Sequence, residues 1–196
     1  MLRNLHTSNR CLPWFLLLPI MACGAAPEHE STPAATPIYN PRTGRLEQIV
    51  SDRDGDGRQE TRAFMDGTRL VRIEIDRNGD DVVDRWEYYT SAGEPPVAVI
   101  ERAEEAGGPD GTITRRETYV DGELTRVEED TTLDGRPDKW ESYRQGRLVH
   151  VDLDLAGEGR PTRRLVYGPD GSVERLESDR DGDGVFVPDV PAGAAP

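Results

Sequence analysis

The sequence predicts an all-β fold, an elongated antiparallel meander of repeated β-hairpins joined by acidic loops. Three observations point to it. The chain repeats itself in five units that open at Asp52, Asp76, Ala106, Asp130 and Asp154, and a fixed period of this kind marks an array of stacked supersecondary units. Asp66-Gly67, Asp121-Gly122 and Asp170-Gly171 stand between short segments rich in Val, Ile, Tyr, Thr and Arg. Asp-Gly supplies the positive φ that a type I′ hairpin turn needs. Hydrophobic residues make up only 35% of the chain and aromatics 6%, which is little to fill a thick core, so a thin, extended repeat architecture fits best.

Residues 1–22 read as an export signal. Arg3 and Arg10 give a positive start with no acid nearby, and Cys11 to Ala22 (CLPWFLLLPIMA) is an apolar run of the kind that export signals carry. Its length as a helix is only ~18 Å against a hydrocarbon core of ~30 Å, so it is too short to span a bilayer. Ile20-Met21-Ala22-Cys23 resembles the lipobox of bacterial lipoproteins. That resemblance implies cleavage before Cys23, acylation of its thiol and amino group, and anchoring in the cell envelope at an outer membrane. An ordinary signal cut near Ala22 or Ala26 is the alternative. Several acyl chains would give a lasting anchor where one would not. Cys11 leaves with the signal, so Cys23 is the one cysteine of the mature chain and no disulfide forms within it.

Residues 23–37 read as the lipidated cysteine and a flexible tether, being small, polar and Pro-rich. The repeat domain is expected over 38–178, opened by a half-unit with Tyr39, Gly44, Leu46 and Ile49. Each unit starts with a loop: DRDGDGRQE, DRNGDDVVD, AGGPDGTIT, DTTLDGRPD and DLAGEGRPT. A large residue follows at unit position 14 (Met65, Tyr89, Tyr119, Tyr143, Tyr167), then a turn, then a second apolar segment. These segments are too short and too β-prone for helices, and about twelve strands result. Ile100–Ala106 alone reads as a possible helical turn. Residues 179–196 read as a last acidic loop and a Pro/Ala-rich tail with no further hairpin. The YxxGxLxxVE pattern resembles MORN-like and YD-type hairpin repeats, and the loops resemble thrombospondin type 3 and EF-hand calcium loops, although the cysteines of true thrombospondin repeats are missing.

Calcium wants six to eight oxygens, and acids at alternate loop positions before a glycine gather several on a short backbone. The candidate ligands are Asp52, Asp54, Asp56 and Glu60 in the first loop, and Asp76, Asn78, Asp80, Asp84 and Glu87 in the second. Asp130, Asp134, Asp138 and Glu141 follow in the fourth, and Asp179, Asp181 and Asp183 in the last. The third and fifth loops lack the pattern. Alternatively these residues are ordinary solvated turn formers. On the strands, Trp86 and Trp140 alternate with Arg62, Arg116 and Arg164, and Glu87 and Glu141 share faces with Tyr89 and Tyr143. Such faces either hold the sheet together or offer a strip for a glycan or an envelope protein.

Other functions are disfavoured. Loss of residues 1–22 removes two arginines and no acid, leaving 22 basic residues against 38 acidic, a balance that repels nucleic acid. His150 is the one histidine beyond the tether, and no nucleophile motif, phosphate loop or zinc cluster is present, which argues against an enzyme. The expected role is that of an exported, membrane-anchored lipoprotein with a calcium-binding repeat ectodomain; the alternative is a calcium-independent recognition module.

Overall fold

The computed structural model describes residues 34–108 and 110–189; Cys23, the export signal and most of the tether lie outside them. The described chain is all β. Thirteen antiparallel strands form one meander sheet in which each strand pairs with its neighbours in sequence. They are β1 (Ala34–Tyr39), β2 (Leu46–Asp52), β3 (Thr61–Asp66), β4 (Arg69–Ile75), β5 (Arg85–Ala92), β6 (Val97–Ala106) and β7 (Ile113–Val120). The series continues through β8 (Glu123–Glu129), β9 (Lys139–Arg144), β10 (Arg147–Leu153), β11 (Arg163–Tyr167), β12 (Val173–Ser178) and β13 (Val187–Pro188). Substantial contacts run only between consecutive strands, so the sheet neither closes nor carries a second layer among the described residues.

Three boundaries differ from expectation. Ala34–Pro37, read as tether, pair with Ile49–Asp52 as the first part of β1. The edge of β2 offers a full row of unpaired N–H and C=O groups, and backbone pairing there outweighs the weak strand preference of AATP. Ile100–Ala106 lies in β6 and not in a helix, because β5 and β7 take up its backbone groups on both sides. The last loop does have a successor, a two-residue strand, Val187–Pro188, on Glu177 and Ser178.

The six hairpins share one irregularity. Opposite the turn-proximal large residue (Tyr39, Met65, Tyr89, Tyr119, Tyr143 and Tyr167), the second strand carries an extra residue: Glu47, Val71, Glu101, Thr125, Val149 and Glu174 in turn. A bulge of this kind strengthens the local twist, so its repetition distributes twist along the sheet. The turns vary more than the Asp-Gly pairs suggest. Asp121-Gly122 has two positive φ values, 52° and 81°, as does Gln145-Gly146, at 51° and 71°, which is what a type I′ turn requires. Asp66-Gly67 has positive φ only at Gly67, and Asp170-Gly171 only at Gly171. In the latter loop Pro169 favours a different turn, because its ring fixes φ negative at the first central position.

Continuous rows cross the sheet. On one face Ala63, Ile73, Glu87, Ala103, Glu117, Val127, Glu141, Val151, Leu165 and Leu176 oppose one another in sequence order. Ala103 and Val127 are fully buried there, and few other apolar residues are. Carboxylates in this row are satisfied locally. The hydroxyls of Tyr89, Tyr119 and Tyr143 donate to Glu87, Glu117 and Glu141, at 2.6, 2.7 and 2.6 Å. The next row alternates charge, Arg85, Glu105, Arg115, Glu129 and Lys139. Arg85, 9% exposed, donates to Glu87 at 2.8 Å, Glu105 at 2.5 Å and Glu117 at 2.9 Å. A single-layer sheet thus replaces a missing apolar core with cross-strand ion pairs that shield one another from water.

This network has a pH signature. Burial raises the Glu117 pKa, but Arg85, Tyr119 and Arg115 outweigh it and hold the carboxyl at about 2, against an ordinary 4.5. Glu105 and Glu141 are also held below the usual range, against the effect of burial, by Arg77 and Arg85 and by Lys139 and Tyr143 respectively. A carboxyl depressed in the folded state contributes stability that is complete above its unfolded pKa and is lost as pH falls toward the folded one. Urea unfolding is therefore expected to show stability constant above pH 4.5 and falling from there toward pH 2, with Glu117 alone accounting for about 3 kcal/mol.

Candidate cation-binding loops

Because hairpin turns alternate with long loops, all six long connections emerge at one end of the strands. They are called L1 (52–60), L2 (76–84), L3 (106–112), L4 (130–138), L5 (154–162) and L6 (179–187). Their roots are tied together: the Asp76, Asp130, Asp154 and Asp179 N–H groups donate to the carbonyls of Glu60, Thr114, Asp138 and Thr162.

Position 1 organises each acidic loop. Both oxygens of Asp52 accept backbone N–H groups, from Gly55 at 2.6 Å and Gly57 at 2.9 Å. Asp76 does the same with Gly79 and Asp81 at 2.7 and 2.8 Å, and Asp179 with Gly182 and Gly184 at 2.7 and 3.1 Å. Asp130 accepts from Asp134 and Gly135. L5, without the calcium pattern, keeps the arrangement: Asp154 accepts from Gly157 at 2.8 Å and Gly159 at 2.6 Å. Burial raises the pKa values of Asp76 and Asp154, but these N–H donors outweigh it and hold both below the usual range. Position 1 therefore caps the loop, with or without an ion. The backbone must turn left-handed at position 6, and Gly57, Gly135, Gly159 and Gly184 do so. Asp81 does so too, at φ 69°, since Asp tolerates this region better than most residues.

Position 9 closes the loop. Glu60 accepts the Arg53 N–H at 2.6 Å, Asp84 that of Arg77 at 2.7 Å, and Asp138 those of Thr131 and Thr132 at 3.0 and 2.9 Å. Burial raises the Asp138 pKa, but the Thr131 and Thr132 donors outweigh it and lower it overall. Position 5 caps position 7 through Asp56, Asp80, Asp134 and Asp183.

Convergence is uneven. Asp52, Asp54, Asp56 and Glu60 each bring one oxygen within 4.8 Å of the others, and so do Asp179, Asp181 and Asp183. Either group could hold a metal ion. Asp76, Asp80 and Asp84 form no such group, and neither do Asp130, Asp134 and Asp138. Position 3 also differs: it is a carboxylate in L1 and L6 (Asp54, Asp181), an amide in L2 (Asn78) and a hydroxyl in L4 (Thr132). Glu87 and Glu141, the expected position-12 ligands, lie on the sheet face with their oxygens taken by Arg85 and Tyr89 and by Lys139 and Tyr143. The sheet-face role of these glutamates shows in the spacing Arg85-x-Glu87-x-Tyr89 of β5 and Lys139-x-Glu141-x-Tyr143 of β9, a pattern that reads equally well as plain strand alternation.

Neighbouring loops are bridged by the position-7 arginines of L1 and L5. Arg58 donates to the Gly79 carbonyl of L2. Arg160 lies 3.4 Å from an Asp179 oxygen of L6 and packs so near Gly182 that a Cβ there would sit 2.8 Å from its guanidinium.

No protein-family model matches this chain, and no curated protein matches it. Among solved structures, a chain in a crystal structure of accessory secretory protein 1, 2 and 3 in Streptococcus pneumoniae overlaps it with a TM-score of 0.34 and 14% identity. The overlap covers 61% of this chain and 19% of that one.

Proposed function

We propose that this is an exported lipoprotein, acylated at Cys23, whose sheet domain binds calcium at L1 and L6 and serves the envelope as a structural and interaction module. The observation that carries the cation reading is the gathering of four carboxylates in L1 and three in L6 within 4.8 Å of one another. Calcium suits these loops better than magnesium. Both want oxygen, but calcium accepts an irregular shell of six to eight ligands, whereas magnesium demands a near-ideal octahedron and holds its waters. Three or four carboxylate oxygens, completed by loop carbonyls and water, suit the larger ion. Four like charges in L1 repel one another, and a divalent ion among them relieves that repulsion.

Position favours the same reading. Ala34 pairs with Asp52, so the tether enters the sheet beside L1. An ion at L1 would stiffen the edge where β1 begins, and one at L6 the opposite edge, where β13 holds only two residues. Both are edges that a single-layer sheet must keep from fraying.

Thermal unfolding of the protein in chelator, then in calcium or magnesium, tests the proposal. Ion binding to the folded state alone stabilises it by about 2.7 kcal/mol at a hundredfold excess over Kd. The expected result is a calcium-selective rise in Tm, reduced by about half in Asp54→Asn/Asp56→Asn and abolished when Asp181→Asn/Asp183→Asn is added. Identical melts in all conditions would leave the acids as solvated turns and favour recognition through the sheet faces.

A further inference from the structure

L4 and L5 depart from the pattern of the other loops in ways that a cation site does not explain. Position 4 is Gly55, Gly79, Gly157 or Gly182 in the other acidic loops, each with positive φ; in L4 it is Leu133, at φ 62°. Leucine in this backbone region is strained, and its side chain is 55% exposed, so packing does not compensate. Position 2 is arginine in L1, L2 and L6 but Leu155 in L5, and that leucine is 67% exposed. The loop-to-loop arginine bridge is also missing. Arg58 and Arg160 reach across to the next loop, whereas Arg136, at the same position of L4, has no side-chain partner among the described residues. Between L4 and L5 there is instead a cleft of about 330 Å³ lined by Thr132, Asp134, Arg136, Pro137, Leu155 and Ala156, among others.

The free chemistry of this cleft has three parts. Arg136 offers an uncommitted guanidinium. Asp134 spends one carboxylate oxygen on the Arg136 N–H, at 2.9 Å, and its other oxygen has no partner among the described residues. Pro137, Leu155 and Ala156 give an apolar wall. The remaining carboxylates, Asp138 and Asp154, are already taken by Thr131, Thr132 and the L5 backbone.

We propose that the cleft between L4 and L5 binds an apolar α-amino acid as its zwitterion. The ligand carboxylate pairs with the Arg136 guanidinium, a geometry that arginine favours. Its ammonium meets the free Asp134 oxygen, and its side chain lies on Leu155 and Pro137. A neutral zwitterion suits an acidic protein that would repel a simple anion. This site is independent of calcium at L1 and L6.

The test is a titration of the ¹⁵N-labelled full chain with L-leucine, followed by amide NMR in calcium and in chelator. Leucine is expected to shift amides 132–138 and 154–159 saturably in both conditions. Leucinamide, N-acetyl-leucine and glycine each lack one of the three groups and are expected to bind at least about tenfold more weakly. Arg136→Gln and Leu155→Ser change exposed side chains and are expected to weaken leucine binding to the same degree. The absence of a saturable shift with leucine overturns the proposal. So does equal binding by N-acetyl-leucine, or undiminished binding by Arg136→Gln.

Discussion

Arg85→Leu is expected to lower the unfolding free energy by about 4 kcal/mol, because it breaks a buried pair and leaves charge uncompensated. The arginine serves three carboxylates on three strands, Glu87 on β5, Glu105 on β6 and Glu117 on β7. Burial opposes its charge, but Glu117, Glu87 and Glu105 outweigh that and push its pKa up. Without it Glu117, 8% exposed, keeps only Arg115 and the Tyr119 hydroxyl. Exposed pairs are a control: Arg69→Leu, which loses the 2.9 Å contact with Asp66, is expected to cost under about 1 kcal/mol. Urea unfolding at neutral pH measures both. Joint replacement Arg85→Leu/Glu117→Leu is expected to recover part of the loss, since apolar residues replace buried ion pairs well when both partners go. A cost for Arg85→Leu no larger than that for Arg69→Leu would mean that the ladder does not hold the sheet.

Asp154→Ala is expected to destabilise by about 3 kcal/mol, equally with and without calcium. The buried carboxylate accepts from Gly157, Ala156 and Gly159, and its loss removes the charged acceptor that fixes the loop backbone. Its depressed pKa carries the matching sign: stability present above the ordinary 3.8 is lost as pH falls below it. Asp54 differs. It accepts one N–H, from Asp56 at 3.1 Å, and is exposed, so Asp54→Ala is expected to change calcium-free stability by under about 0.5 kcal/mol. Chemical unfolding of the two variants in chelator separates a loop cap from an ion ligand.

The contrast between these aspartates shows what the sequence could and could not convey. Period, turn residues and β-prone segments made the hairpin meander legible, including the sharing of faces by Glu87 and Tyr89 and by Glu141 and Tyr143. The six bulges were not legible, because a bulge inserts a residue without a composition of its own. Nor was β1, where Ala34–Pro37 become a strand only because β2 presents an open edge. In the loops, spacing alone gave the same reading to capping aspartates and to aspartates with oxygens to spare. L2 matches the calcium-loop spacing best, yet its three aspartates do not gather as the carboxylates of the shorter L6 match do. Glu87 and Glu141 fell in register with an ion ligand by position, but strand geometry turns them to Arg85, Lys139 and the tyrosines.

The most direct measurement is residue-resolved amide NMR of the protein across a calcium titration. Saturable shifts confined to residues 52–60 and 179–184, with L2 and L4 unmoved, are the expected result. Shifts spread evenly over all the acidic loops, or none at all, would contradict calcium binding at L1 and L6.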